Sequence, residues 1–296
     1  MKTIVIISGK GGTGKTVTCA SFAALARNHI LVDCDVDAAD LHLLLHPQVR
    51  EKHIFQKGQT ARIDAARCLQ CGQCRGRCRF QAIRADFQVD ALACEGCGLC
   101  ARICPTGAAV MEDNTCGQWY LSETRYGPMV HADLYPGEEN SGKLVAKIRE
   151  AAAEEAQKRG LEYVIVDGSP GIGCPVIASL SGADLAVIVT EPTLSGIHDM
   201  ERVMTVAQHF RIPTRVVINK YDLNEVNTLK IEDDQRSKGN EILGRIPFSK
   251  TVPESVVRGV PLVEYAQNDA ARAMRNLWQA IQVYLVEESV AKKDAS

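Results

Sequence analysis

The chain has 296 residues, 46% hydrophobic and 24% charged, with a formal charge of −2 at pH 7. That length accommodates one large α/β domain with a small insert, and a charge near zero gives no reason to expect nucleic-acid binding. No apolar run reaches the ~18 residues of a membrane span, no leader precedes the first strand pattern, and twelve cysteines without such a leader point to metal ligation in a reducing cytoplasm rather than to disulfides.

Five short β-branched runs read as buried strands: "TIVIIS" from Thr3, "ILVD" from Ile30, "YVIVDG" from Tyr163, "LAVIVT" from Leu185 and "RVVINK" from Arg215. Each is apolar on both faces, as parallel strands covered by helices are. Helical patterns over 15–27, 143–158, 197–210 and 268–287 separate or follow them. The alternation predicts an α/β, doubly wound, mostly parallel sheet. A cysteine-rich, loop-like block interrupts it, so the expected division is a core over 1–57, an inserted domain over 58–112, and the rest of the core over 113–296. The stretch 117–134 is expected to supply a hairpin or two further strands, and the polar tail 290–296 to fray.

The first strand runs into "GKGGTGKT" (Gly9 to Thr16), which opens the first helix. Strand, glycine loop and helix form the setting that a phosphate-binding loop requires. The backbone N–H groups of Gly11, Gly12, Thr13, Gly14, Lys15, Thr16 and Val17 are placed to wrap phosphates, and the helix N-terminus favours negative charge there. Lys15 is expected to reach the β- and γ-phosphates and Thr16 to ligate Mg²⁺. Lys10 is an additional lysine where a plain phosphate loop accepts almost any residue.

After the second strand, "LVDCDVDAADLHLLL" brings Asp33, Asp35 and Asp37 to a strand's carboxyl end, where open α/β sheets bind ligands. Asp37 alternatively caps the following helix. Between Arg67 and Pro105 the chain reads C-x₂-C-x₂-C-x₃-C twice, at Cys68, Cys71, Cys74 and Cys78 and again 26 residues later at Cys94, Cys97, Cys100 and Cys104. This is the run of two [4Fe–4S] clusters, in which the fourth cysteine of each run ligates the other cluster. The expected sets are Cys68, Cys71, Cys74 and Cys104 for the first cluster and Cys78, Cys94, Cys97 and Cys100 for the second. Two structural zinc sites are the alternative for such sets. Arg79 stands where the first run would carry proline. Arg62, Arg67, Arg75, Arg77, Arg79 and Arg84 make the first run basic. Positive charge there either raises a cluster's potential, docks an acidic partner, or is simply solvated.

Farther on, "YVIVDGSPGIGCPV" ends a strand on Asp167, placed to hold Mg²⁺, and Gly168, Gly171 and Gly173 leave the segment free to switch. "VVINKYD" ends another strand on Asn219, whose amide matches a purine's donor and acceptor edges; Asp222 reads guanine if the base is guanine rather than adenine. Cys19, Cys34, Cys116 and Cys174 read as small buried hydrophobes. The seven histidines show no ligand spacing.

The lysine pair Lys10/Lys15, the "DCDVD" and "DGSPGIGCPV" segments, the stretch "YPGEENSGKLV" and the double cysteine run together resemble the MinD/Mrp (ParA-like, deviant Walker A) P-loop ATPases with an inserted two-cluster ferredoxin domain, like those associated with the orange protein complex. The resemblance covers nearly the whole chain. It implies an ATP-bridged homodimer, or a heterodimer with a related ATPase, with Lys10 contacting the facing subunit's nucleotide. It implies that Asp35 orients the attacking water and that Asp33 is an outer-shell Mg²⁺ partner. It further implies that Asn219 contacts adenine and that Pro247 and Phe248 line the base. The late C-x-x-C pair of Mrp-type carriers is absent after Cys174, which argues against the same bridging cluster.

The expected cofactors are therefore ATP, Mg²⁺ and two [4Fe–4S] clusters. The expected function is an ATPase that drives metal-cluster or cofactor assembly or transfer on a partner protein. ATP-gated electron donation to a redox partner is the alternative, and a positional, membrane-binding ATPase is the third class. Leu277, Trp278, Ile281 and Leu285 fall at core-helix spacing, so the last helix is expected to pack rather than to anchor in a membrane. Cytoplasmic location, no nucleic-acid partner and no stable membrane association are expected.

Overall fold

The computed structural model describes residues 1–138 and 140–294, with the backbone alone at 289 and 291–294. In chain order the elements are β1 (Lys2–Ile7), α1 (Lys15–Leu25), β2 (His29–Asp33), α2 (Leu41–Leu45), β3 (Gln48–Ile63), α3 (Gln73–Arg77), α4 (Leu99–Ile103), β4 (Ala109–Thr124), β5 (Gly127–Leu134), α5 (Ser141–Arg159), β6 (Tyr163–Asp167), α6 (Cys174–Leu180), β7 (Leu185–Thr190), α7 (Leu194–His209), β8 (Thr214–Asn219), α8 (Glu225–Ser237), β9 (Glu241–Ile246), α9 (Thr251–Val257), α10 (Leu262–Tyr265) and α11 (Asp269–Asp294). Two units divide the chain. One comprises Met1–Lys52, Trp119–Asp133 and the chain from Ser141 onward; the other comprises His53–Gln118 with Leu134–Asn140.

In the first unit all five predicted strands form, as β1, β2, β6, β7 and β8. Their apolar residues are buried because helices cover the sheet. The strand order is β3-β4-β5-β2-β6-β1-β7-β8-β9. β1 pairs in parallel with β6 and β7, β2 with β5 and β6, and β8 with β7 and β9. Parallel pairing sends the carboxyl ends of β1, β2, β6, β7 and β8 to one edge of the sheet. The residues at or just past those ends, Ser8, Asp33, Asp167, Glu191 and Asn219, therefore converge.

Between α1 and α11 the largely aliphatic core holds an aromatic cluster. The rings of Phe22 and Trp278 stand 5.5 Å apart, and those of Tyr163 and Trp278 stand 5.8 Å apart. Leu277, Trp278, Ile281 and Leu285 are buried, as their spacing predicts. The helix continues to Asp294 rather than fraying from 290; residues 295 and 296 lie outside the described residues. Among the described residues no helix is long and apolar enough to cross a membrane.

The stretch 117–134 forms the expected hairpin: β4 returns as β5, and the Thr124 hydroxyl donates to the Gly127 carbonyl at 2.8 Å. The short helices α3, α4, α6, α9 and α10 went unpredicted, as did three longer or sheet-forming elements. β3 is a 16-residue strand with most positions exposed, so it carries no hydrophobic period. β9 carries Gly244 within it and has a single fully buried position, and α8 has little apolar content.

In the second unit, β3 and β4 residues run antiparallel. Gln56 donates to Thr115 at 3.4 Å and Gln59 to Asp113 at 3.3 Å, while Arg62 Nε pairs with Glu112 at 2.5 Å. The two short helices α3 and α4 pack together. Each begins at a glycine with positive φ, Gly72 at 76° and Gly98 at 71°, a conformation open to glycine at little cost. These glycines sit at matching positions of the two cysteine runs, so the 26-residue sequence repeat is also a structural one.

Candidate functional site

The loop between β1 and α1 is built around glycine. Gly14 has φ 92°, and a Cβ there would strike the Asn219 amide nitrogen. A Cβ on Gly9 would meet the Asp199 backbone at 2.5 Å. Lys15 opens α1 and is 5% exposed. Its Nζ donates to Asp167 Oδ1 at 2.8 Å and stands 3.6 Å from Asp35 Oδ2. Burial works against the ammonium, but Asp167, Asp35 and Asp33 outweigh it and hold its pKa above the ordinary lysine value.

Three carboxylates thus face one lysine. Asp33 and Asp167 are each 1% exposed. Asp33 Oδ1 accepts from the Asp35 N–H at 3.1 Å and Oδ2 from the Leu41 N–H at 3.2 Å, so this carboxylate also fixes the loop leading to α2. Burial and the neighbouring Asp167 push the Asp33 pKa well up; burial pushes Asp35 up as well, against the pull of Lys15. Asp167 Oδ2 and the Thr13 hydroxyl are buried with no hydrogen-bond partner among the described residues. An orphaned carboxylate oxygen in a surplus of negative charge is a place for a cation. Asp37 is exposed and makes no contact with Lys15, though its charge helps to raise Asp35; nor does it cap α2, whose cap position is Asp40.

Lys10 reaches across to the β7–α7 connection. Its Nζ lies 3.7 Å from Glu191 Oε2, 3.5 Å from the Thr193 hydroxyl and 3.2 Å from the Ser195 hydroxyl. Glu191 also binds Lys220 at 2.5 Å, so one carboxylate holds two lysines. Sequence reading missed Glu191, although it follows a parallel strand's carboxyl end just as the chosen aspartates do.

Asn219 sits 8% exposed at the end of β8. Its Nδ2 donates to the Thr13 carbonyl at 2.7 Å and its Oδ1 accepts from the Lys220 N–H at 3.0 Å. The amide therefore braces the phosphate loop, and one Nδ2 hydrogen is left for another acceptor. Asp222 accepts from the Phe248 N–H at 2.7 Å, which fastens the loop carrying Pro247 and Phe248. Phe248 remains 46% exposed.

Beneath the Asp33–Asp35 loop, Cys34 is fully buried, and burial pushes its thiol up to about 12. The Ser169 hydroxyl donates to its carbonyl at 2.5 Å, tying the segment after β6 to the segment after β2. Arg149, also missed from sequence, donates to the carbonyls of Ala178, Ser179 and Ser181 and so caps the end of α6. Cys19 and Cys116 are buried as expected, but Cys174, at the start of α6, is exposed.

In the second unit the eight cysteines of the double run are unbonded thiols. Among the described residues no three His, Cys, Asp or Glu side chains converge tightly enough for a single metal ion. Two cavities gather them instead. One is walled by Cys68, Cys71, Cys74 and Cys104, and the other by Cys78, Cys94, Cys97 and Cys100, with Cys74 on its rim as well. The sorting follows the crossed pairing of the sequence repeat: each fourth cysteine faces the other run's cavity. Backbone donation from Ala109 holds the Cys104 thiol down to about 7.

The family model of the CobQ/CobB/MinD/ParA nucleotide-binding domain matches residues 4–262. An uncharacterized protein of Methanocaldococcus jannaschii, MJ0578, is 31% identical over 290 residues, covering 95% of this chain and 97% of that protein. The septum site-determining protein MinD of Bacillus subtilis is 24% identical over 288 residues, covering 94% and 88%. Among solved structures, MinD of Pyrococcus horikoshii complexed with Mg-ADP matches with a TM-score of 0.59 at 18% identity, covering 95% of each chain. The MinC:MinD complex of Aquifex aeolicus matches with a TM-score of 0.58 at 21% identity, covering 95% and 96%. At these identities the structural likeness speaks for the fold.

Proposed function

Because the chain belongs to the CobQ/CobB/MinD/ParA nucleotide-binding family, whose members include P-loop ATPases, we propose that it hydrolyses ATP in a nucleotide-switched homodimer, or a heterodimer with a related ATPase. The switch drives metal-cluster or cofactor assembly or transfer on a partner protein. The ATPase half is supported by Lys15, held at 2.8 Å from Asp167 where the carboxyl ends of the strands meet. On nucleotide binding Lys15 turns from Asp167 to the β- and γ-phosphates, and the N–H groups of residues 11–17 wrap them. Asp35 orients the attacking water. Lys10 serves the facing subunit's nucleotide once Glu191 releases it. Asn219, Pro247 and Phe248 hold the base. The oxygen donors of Thr16 and Asp167, with Asp33 behind them, suit Mg²⁺, and the orphaned Asp167 Oδ2 is the atom most in need of it. Mg²⁺ there neutralises charge on the phosphates.

The metal half is carried by one observation: Cys68, Cys71, Cys74 and Cys104 line one cavity and Cys78, Cys94, Cys97 and Cys100 line the other, with Cys74 shared between them. A single ion draws its ligands to about 2.3 Å, whereas a cubane takes each thiolate on a different iron and so keeps the sulfurs farther apart. Two complete C-x₂-C-x₂-C-x₃-C runs at one offset support a pair of [4Fe–4S] clusters over zinc. Cys68, Cys71, Cys74 and Cys104 hold the first cluster; Cys78, Cys94, Cys97 and Cys100 hold the second. Such clusters supply one-electron chemistry at potentials set by surrounding charge and hydrogen bonds. The insert expected over 58–112 falls inside the unit of His53–Gln118 with Leu134–Asn140 and acts as the ferredoxin-like domain.

To test this, protein loaded with ⁵⁷Fe is mixed anaerobically with a chelator-stripped bacterial ferredoxin as acceptor, with and without ATP. ATP-dependent movement of label supports transfer. Label that stays bound through many turnovers defeats it. ATP-gated electron donation is favoured by a separate observation: Cys74 lines both cavities, so the two sites are contiguous.

A further inference from the structure

The two cysteine cavities differ in charge. No charged side chain lines the cavity of Cys68, Cys71, Cys74 and Cys104. The other carries Arg77 and Arg79 in its wall, with Glu95. Between Arg67 and Pro105 six arginines face Asp86, Asp90 and Glu95, a formal charge of +3 within a chain of −2. Two of the six are occupied: Arg67 donates to the Gly107 carbonyl, and Arg84 binds Asp90 at 2.8 Å. Arg77, Arg79 and Arg102 are exposed and form no ion pair among the described residues. Arg102 lies three residues after Leu99 on α4, hence on the same helix face, and Leu99 lines the arginine-walled cavity. Phe80 and Leu99, 40% and 41% exposed, complete the rim.

We propose that this rim is a docking surface for a partner protein presenting a cluster of aspartate and glutamate side chains, and that the partner therefore meets the cavity of Cys78, Cys94, Cys97 and Cys100 rather than the other. Unpaired guanidiniums around a partly apolar centre match an acidic protein face, since arginines and aromatics anchor interfaces while matched charge steers encounter. A nucleic acid fits less well. The rest of the chain carries a formal charge of −5 against the +3 of this stretch, which repels a long polyanion. Arg79, the residue that departs from the cluster-binding pattern, acquires a role: it widens the charged rim on the docking side. The inference rests on the cluster reading for the purpose of the docking; two clusters, each formally about −2 on its four thiolates, would take the stretch from +3 to about −1, so the steering charge is the local one of Arg77, Arg79 and Arg102 at the rim.

The test uses the full chain, purified anaerobically, and a fluorescein-labelled polyglutamate peptide followed by anisotropy at low salt. R77Q/R79Q/R102Q is expected to weaken binding about tenfold and to flatten its salt dependence. K230Q/R258Q, which removes two exposed charges of the first unit, is expected to leave binding unchanged. Circular dichroism checks that each variant folds, and the single variant R79Q is expected to give a smaller loss in the same direction. Equal binding by the triple variant, or an equal loss in the K230Q/R258Q control, overturns the proposal. Tighter binding of a labelled DNA duplex than of the peptide also overturns it. Iron measured in the same samples separates the two readings: missing iron with peptide binding intact counts against the clusters alone.

Discussion

Lys15 and Asp167 meet at 2.8 Å, at 5% and 1% exposure, with Asp35 3.6 Å from the same ammonium. In this arrangement the lysine that would hold the phosphates is the counter-ion of the carboxylates that would hold the cation. In the proposed reading, nucleotide and Mg²⁺ would enter together, each taking over one side of a buried ion pair. Lys15→Ala is expected to abolish hydrolysis and to destabilise the nucleotide-free protein by about 3 kcal/mol, because three carboxylates lose their cation. Urea denaturation with and without MgCl₂ checks this: Mg²⁺ should restore more stability to the variant than to the wild type.

In the proposed dimer, Glu191 would set how easily Lys10 leaves its own subunit. The contact is long, 3.7 Å, and the Lys10 side chain is 32% exposed, so it contributes roughly 0.5 kcal/mol. Glu191→Gln is expected to strengthen ATP-dependent dimerisation by about twofold. Lys10→Ala is expected to keep nucleotide affinity and lose the dimer. Sedimentation of both variants with a slowly hydrolysed ATP analogue reads the two effects.

His29 begins β2 with its ring buried and neither nitrogen hydrogen-bonded among the described residues. Burial lowers its pKa from 6.5 to about 4. The unfolded chain takes up this proton below pH 6.5 while the folded chain refuses it until about pH 4, so stability falls as pH drops through that window. The loss is about 1.4 kcal/mol per pH unit. His29→Leu is expected to match the wild type near pH 7 and to exceed it by about 2 kcal/mol at pH 5. His131, whose pKa burial also lowers to about 4, drives the wild-type slope the same way.

How far the sequence could be read depended on how local the cause was. The β1–α1 loop was legible because glycine, lysine and threonine at fixed spacing fill one turn. The grouping of the eight cysteines was legible because their spacings repeat at one fixed offset. Asp33 and Asp167 followed from strand ends. Glu191 obeyed the same rule and was passed over because "TEPTLSG" matched no named segment. The Asn219 brace on Thr13 joins residues 206 apart in sequence and has no local signal. β3 was hidden because most of its residues are exposed, and a strand without a buried face shows no period of two.

The crossed pairing gives its own expectation. Cys78→Ser should lower the occupancy of the cavity shared with Cys94, Cys97 and Cys100, while Cys104→Ser should affect the one shared with Cys68, Cys71 and Cys74. Paramagnetic resonance of the reduced variants checks this: Cys78→Ser should lose the same signal as Cys97→Ser, and Cys104→Ser the same signal as Cys71→Ser. Loss of one signal by both Cys78→Ser and Cys71→Ser would mean the pairing is not crossed.

The most direct test of the central claim, an ATPase that carries a pair of iron–sulfur clusters, is the metal content of the anaerobically purified chain by mass spectrometry together with acid-labile sulfide. The account expects about eight irons and about eight sulfides per chain. About two zinc ions per chain with no sulfide would contradict it.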